Sequence, residues 1–115
     1  MVTNWYPGHM VKARREIQEN LKLVDVVVEI VDARAPESTR NLELEKLVQP
    51  RPIAMVLNKM DLVDATGLEI WIRYLKSCGL HPVGMVSTSG QGRSEVIRLI
   101  EQLYRPAAQA MRERN

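Results

Sequence analysis

Val24-Asp25-Val26-Val27-Val28-Glu29-Ile30-Val31 is the stretch that decides the fold. It is almost continuously apolar and rich in β-branched residues, the pattern of a strand covered on both faces rather than one. Two more runs share this character, Pro52-Ile53-Ala54-Met55-Val56-Leu57 and Pro82-Val83-Gly84-Met85-Val86-Ser87, and each opens on a proline, which suits a strand's first position. The segments between them carry helical period. Leu68, Trp71, Ile72 and Leu75 recur at i, i+3, i+4 and i+7 behind Thr66-Gly67-Leu68-Glu69, which fits a capping box, and Gly79 is placed to close that helix. Val96, Ile97, Ile100, Leu103 and Tyr104 repeat the pattern up to Arg105-Pro106, where the helix is expected to stop. Asn41 is a good N-cap for a shorter helix carrying Leu44, Leu47 and Val48, and an opening helix has Met10, Ala13, Ile17 and Leu21 on one stripe.

The element order is therefore α-β-α-β-α-β-α. Strands joined by helical crossovers are parallel, because such connections are right-handed, so the expected fold is a three-layer α/β domain with three parallel strands and helices on both faces. Ligands of such sheets bind at the carboxyl ends of the strands. Three polar, turn-forming segments follow the strand ends: Asp32-Ala33-Arg34-Ala35-Pro36, Asn58-Lys59-Met60-Asp61 and Ser87-Thr88-Ser89-Gly90-Gln91-Gly92. They converge on one rim.

Composition bounds the rest. A chain of 115 residues, 45% hydrophobic and 26% charged, is one domain with room for a modest core. The single cysteine, Cys78, excludes an internal disulfide framework and points to a reducing compartment. No apolar run approaches the ~20 residues of a membrane span, and the first residues lack a signal-peptide layout, so a cytoplasmic protein is expected. A net charge of +2 neither demands nor excludes nucleic acid, although Lys12, Arg14, Arg15 and Lys22 crowd the first helix and Arg112 and Arg114 load the tail. Cys78 and His81 are two potential ligands, too few for zinc, and no metal site is expected.

Asn58-Lys59-Met60-Asp61 is the sharpest chemical signal, because Asn-Lys-x-Asp at a strand end matches the guanine-specificity motif of GTPases. The carboxylate of Asp61 is suited to accept from guanine N1–H and the exocyclic amine, a donor pair that adenine lacks. The stem of Lys59 suits the purine face, and the Asn58 amide is suited to tie neighbouring loops together. Ser87, Thr88 and Ser89 stand where GTPases keep a loop whose backbone N–H groups meet the guanine carbonyl, and Gly90 and Gly92 let that loop turn tightly.

With Trp5-Tyr6-Pro7-Gly8-His9-Met10, Lys12-Ala13-Arg14-Arg15, and Asp32-Ala33-Arg34-Ala35-Pro36 followed by Ser38, Arg40 and Asn41, these motifs resemble the circularly permuted ribosome-biogenesis GTPases of the ribosome biogenesis GTPase A type. The resemblance runs over residues 5–104. It implies a P-loop-GTPase-like domain in permuted order, base-recognition motifs first, that binds GTP or GDP and serves late assembly of the large ribosomal subunit with its rRNA. It also makes His9 the candidate catalytic residue, a substitute for the glutamine that orients the attacking water.

The pattern is incomplete. The sequence contains no Gly-x-x-x-x-Gly-Lys-Ser/Thr, so the P-loop half is expected to be missing. Residues 1–105 then read as the N-terminal, guanine-recognising half of the domain, and 106–115 as a helical or flexible tail leading toward a missing P-loop. Such a chain is expected to recognise guanine without hydrolysing GTP, and to use magnesium only if the phosphate-binding half is supplied. It is also expected to self-associate through an exposed strand edge. A non-catalytic module whose basic first helix binds ribosomal RNA is the alternative, and an unrelated small α/β ligand-binding domain is a third.

Overall fold

Five consecutive residues show how the sheet forms: Ile53, Ala54, Met55, Val56 and Leu57 are all buried, and the neighbouring strands pair with this run on either side. The computed structural model describes the backbone of residues 7–114 and the side chains of residues 11–114. Trp5, Tyr6 and the side chain of His9 lie outside the described residues. The elements are α1 (Pro7–Leu21), β1 (Val27–Asp32), α2 (Pro36–Thr39), α3 (Leu42–Val48), β2 (Ile53–Asn58), a 3-10 turn (Met60–Leu62), α4 (Ala65–Ser77), β3 (His81–Met85) and α5 (Arg93–Arg114). The strands are parallel in the order β1-β2-β3, with Asp32 opposite Asn58 and Asn58 opposite Met85. The α/β sheet expected from the sequence is present, and its order leaves β1 at an edge.

Residues of opposite parity face opposite layers. Val31, Ile53, Met55 and Leu57 form a buried cluster with Leu21 of α1, Val48 of α3 and Leu75 of α4, so three helices cover this face. Ala54 and Val56 point the other way and are also buried, where α5 packs on β2 and β3. That helix does not cover β1. Val28 is 44% and Ile30 67% exposed, so β1 is covered on one face, not on both as its apolar run suggested. The strand also starts at Val27 rather than Val24.

Local signals account for several helix ends. Asn41 caps α3 by accepting from the Leu44 N–H at 3.0 Å. Gly79, with φ of 85°, closes α4 in a Schellman arrangement: the Gly79 N–H donates to Lys76 O and the Leu80 N–H to Leu75 O, while Leu75 and Leu80 are both buried. Two expectations are corrected. The cap of α4 is Asp64, which accepts from the Gly67 N–H at 2.6 Å, so Thr66 sits inside the first turn and forms no capping box. And α5 passes through Pro106 to Arg114. An interior proline typically costs about 3 kcal/mol, but Gln102, whose carbonyl it deprives of a partner, is exposed, so solvent takes that bond. Arg112 and Arg114 also favour the helix's C-terminal dipole.

Candidate functional site

The parallel register brings the ends of the three strands to one rim. There Asn58, the last residue of β2, fastens the loops on both sides. Its backbone carbonyl accepts from the Ala33 N–H at 2.8 Å, and its side-chain Oδ1 accepts from the Ser87 N–H at 3.0 Å. The first bond ties it to the loop after β1 and the second to the loop after β3. The side chain of Asn58 makes the second of these ties and its backbone the first.

Lys59, next along, adopts a left-handed conformation with φ of 65°, the only non-glycine residue with positive φ among the described residues. Such a backbone costs on the order of 1–3 kcal/mol and persists where its surroundings fix it. Here the Leu62 N–H donates to the Lys59 carbonyl at 3.0 Å, closing the 3-10 turn that carries Asp61. Asp61 is exposed, and its carboxylate makes no hydrogen bond or ion pair with a described residue. It has acceptor capacity to spare.

The loop of residues 87–92 is held by its own backbone. Val86 and Gln91 form an antiparallel bridge, and the Gly90 N–H donates to the Val86 carbonyl at 2.8 Å. Gly90 and Gly92 have φ of 81° and 87°, and a Cβ on Gly92 would strike the Gly84 carbonyl, so the tight turn requires glycine there. Of the backbone donors proposed for a ligand, the Ser87 N–H is occupied by Asn58 and the Ser89 N–H by Val86 O at 3.3 Å. The Thr88 N–H has no described acceptor.

Asp32, which opens the Asp-Ala-Arg-Ala-Pro segment, organises the first loop. Its Oδ1 accepts from Arg34 N–H and Nε at 2.9 and 3.0 Å and its Oδ2 from Arg34 Nη2 at 2.7 Å, with Lys59 Nζ at 3.5 Å. These bonds from Arg34 hold the Asp32 carboxyl well below the usual carboxylate range and push the guanidinium pKa up. The Asp32 N–H donates to Thr39 Oγ1 at 3.0 Å, which donates onward to Ala35 O at 2.7 Å.

Behind the rim lies a buried charge cluster. Glu29 is 6% exposed, accepts from the Asn41 N–H at 2.6 Å through Oε2, and leaves Oε1 buried without a partner. Burial, together with the neighbouring Glu45 carboxylate, pushes its pKa up to about 7. Arg40 pairs with Glu45 through Nε and Nη2 at 3.1 and 2.5 Å and with Glu37 at 3.0 Å, and its pKa is raised, chiefly by Glu45. The sole sequence signal for this cluster was a glutamate inside an apolar strand.

A cavity of about 440 Å³ lies elsewhere, between the residues leading into β2 and β3, lined by Arg51, Pro52, Gly79 and His81 among others. Among the described residues no group of three or more His, Cys, Asp or Glu is placed to hold a metal ion, and no helix is long and apolar enough to cross a membrane.

No protein-family model matches the chain. Individual proteins do. A protein of Bacillus cereus named "Ribosome biogenesis GTPase A" is 45% identical over 96 residues, 84% of this chain, and one of that name from Priestia megaterium is 36% identical over 112 residues, 97% of this chain. Over most of its length the chain is homologous to proteins named ribosome biogenesis GTPase A. A mouse protein named "Mitochondrial ribosome-associated GTPase 1" is 44% identical over 82 residues, 71% of the chain. The matches cover 32%, 39% and 25% of those proteins' own lengths, so the chain spans about a third of the ribosome biogenesis GTPase A relatives.

Proposed function

We propose that this rim is the guanine end of a nucleotide site, and that the chain is the base-recognising part of a GTPase acting in late assembly of the large ribosomal subunit in the cytoplasm. The observation that carries the proposal is the 3.0 Å bond from the Ser87 N–H to Asn58 Oδ1, which joins the two loops that the motifs assign to guanine. In this assignment Asp61 accepts from N1–H and the exocyclic amine, the Lys59 stem covers the purine face, and the Thr88 N–H meets the guanine carbonyl, with Ser87 and Ser89 shaping its loop. Mispaired buried polar groups reject the wrong base.

Phosphate recognition is a different matter. The sequence has no Gly-Lys-Ser/Thr loop, so no hydrolytic step is assigned to this chain. His9, the candidate water-orienting residue, acts in this account only when a phosphate-binding half is present. The expected solution behaviour is weak binding of guanosine, GDP and GTP with similar affinities. Calorimetric titration of the three tests it, and a strong preference for GTP over guanosine would overturn the base-only site.

The names of the relatives and the basic character of α1 support a ribosomal partner. Lys12 and Arg15 are exposed on that helix and Lys22 just past its end, while Arg14 pairs with Glu43 at 3.3 Å. If α1 contacts rRNA phosphates, binding falls steeply with salt and is indifferent to guanosine. RNA binding that persists without nucleotide would favour the alternative of a non-catalytic interaction module.

A further inference from the structure

Lys59 has the most flexible side chain on the rim, and keeping its stem in one place costs side-chain entropy that some contact must offset. Its own 3-10 turn fixes the backbone but not the side chain. The contact that reaches the ammonium comes from another strand: Asp32 Oδ2 lies 3.5 Å from Lys59 Nζ. Asp32 is itself immobilised. Its carboxylate takes three hydrogen bonds from Arg34, its N–H is held by Thr39 Oγ1, and the following residue, Ala33, donates to Asn58 O. The carboxylate is 21% exposed against 50% for the lysine, so the fixed partner is the acid and the mobile one is the base.

We infer that Asp32 is a positioning residue for the guanine site: by pairing with the Lys59 ammonium it keeps the lysine stem beside Asn58 and Asp61 as one wall of the base pocket. The inference rests on the proposed guanine site. It also assigns the lysine charge to a carboxylate within the chain, so that Lys59 serves the base and adds little to phosphate binding. Asp32 does not touch the nucleotide in this scheme and acts through Lys59.

The test is a double-mutant cycle on the 115-residue chain, labelled with ¹⁵N and titrated with guanosine to millimolar concentration, affinities being read from the amide shifts of Asn58, Lys59 and Asp61. Asp32→Asn preserves shape and still accepts from Arg34. Lys59→Met preserves most of the stem and removes the ammonium. Each is expected to weaken guanosine binding about two- to fivefold, the range an exposed ion pair supports, and the double variant is expected to be no weaker than the weaker single. Asp32→Glu, which keeps the charge, recovers part of the loss. Unchanged affinity in Asp32→Asn overturns the inference. So does an equal loss in the Lys59→Met background, since Asp32 would then act through the Arg34 loop alone. If the wild-type chain shows no guanosine-dependent shifts at all, the guanine site itself is refuted and the role of Asp32 goes with it.

Discussion

Asn58 and Ser87, 29 positions apart in the sequence, are joined by a 3.0 Å hydrogen bond in which the Ser87 N–H donates to Asn58 Oδ1. It is a side-chain-to-backbone bond from the end of β2 to the loop after β3, and it fixes that loop relative to the strand. Asn58→Ala removes the acceptor. The expected cost is about 0.5–1.5 kcal/mol of stability, accompanied by faster hydrogen exchange at Ser87 and not at Met55, in the centre of β2. Equal protection of Ser87 in the variant would mean that the bond does not hold the loop.

Asp61→Asn tests the base assignment. The substitution replaces an acceptor by a donor facing the guanine N–H groups, which typically costs ~1–3 kcal/mol for a mispaired polar group. Guanosine binding is expected to weaken, and xanthosine, whose C2 oxygen accepts from the new amide, to gain relative to it. Unchanged discrimination between guanosine, xanthosine and adenosine would remove Asp61 from the site.

Glu29 gives the fold a pH dependence whose sign is fixed. Its pKa is raised to about 7 in the folded chain from an ordinary 4.5, so the folded state holds the proton more tightly. The associated stability is fully present below about pH 4.5 and is lost as pH rises through 7. Glu29→Gln keeps an acceptor for the Asn41 N–H and places a donor toward Glu45. Thermal melts of the variant are expected to lack the wild-type decline between pH 5 and about 8. Parallel curves for the two proteins would show that Glu29 does not titrate in this window.

How much of this was legible in the sequence depended on whether a residue's role is local. Asn41 and Gly79 announced helix ends because caps act over a single turn, and the motif of Asn58, Lys59 and Asp61 was legible because its spacing is local. The Asp32–Arg34 clamp sits within one loop, but its reach to Lys59 is set by the pairing of β1 with β2. Arg40 and Glu45 pair across the start of α3, but Glu29 joins them only when α3 folds onto β1, so the glutamate inside the apolar strand did not reveal its partners. The apolar run before Asp32 implied burial on both faces, yet Val28 and Ile30 are exposed because the described helices leave that face of β1 open.

That open edge has its own consequence. The Val27 and Ala33 N–H groups donate to β2, so Val28, Ile30 and Asp32 direct theirs outward. Asp32 is blunted by Thr39, which leaves Val28 and Ile30 as a short apolar template for a second copy of the chain. Sedimentation is expected to show concentration-dependent association that Ile30→Lys abolishes. A chain that stays monomeric at high concentration, with Val28 and Ile30 amides strongly protected, would contradict this expectation.

The central claim is that the rim recognises guanine and not simply nucleosides or phosphate, and an amide chemical-shift titration of the wild-type chain tests it most directly. Guanosine at millimolar concentration is expected to shift Asn58, Lys59, Asp61 and Thr88, with adenosine and inorganic phosphate leaving them in place. Equal shifts with guanosine and adenosine, or shifts confined to residues away from these loops, would contradict the account.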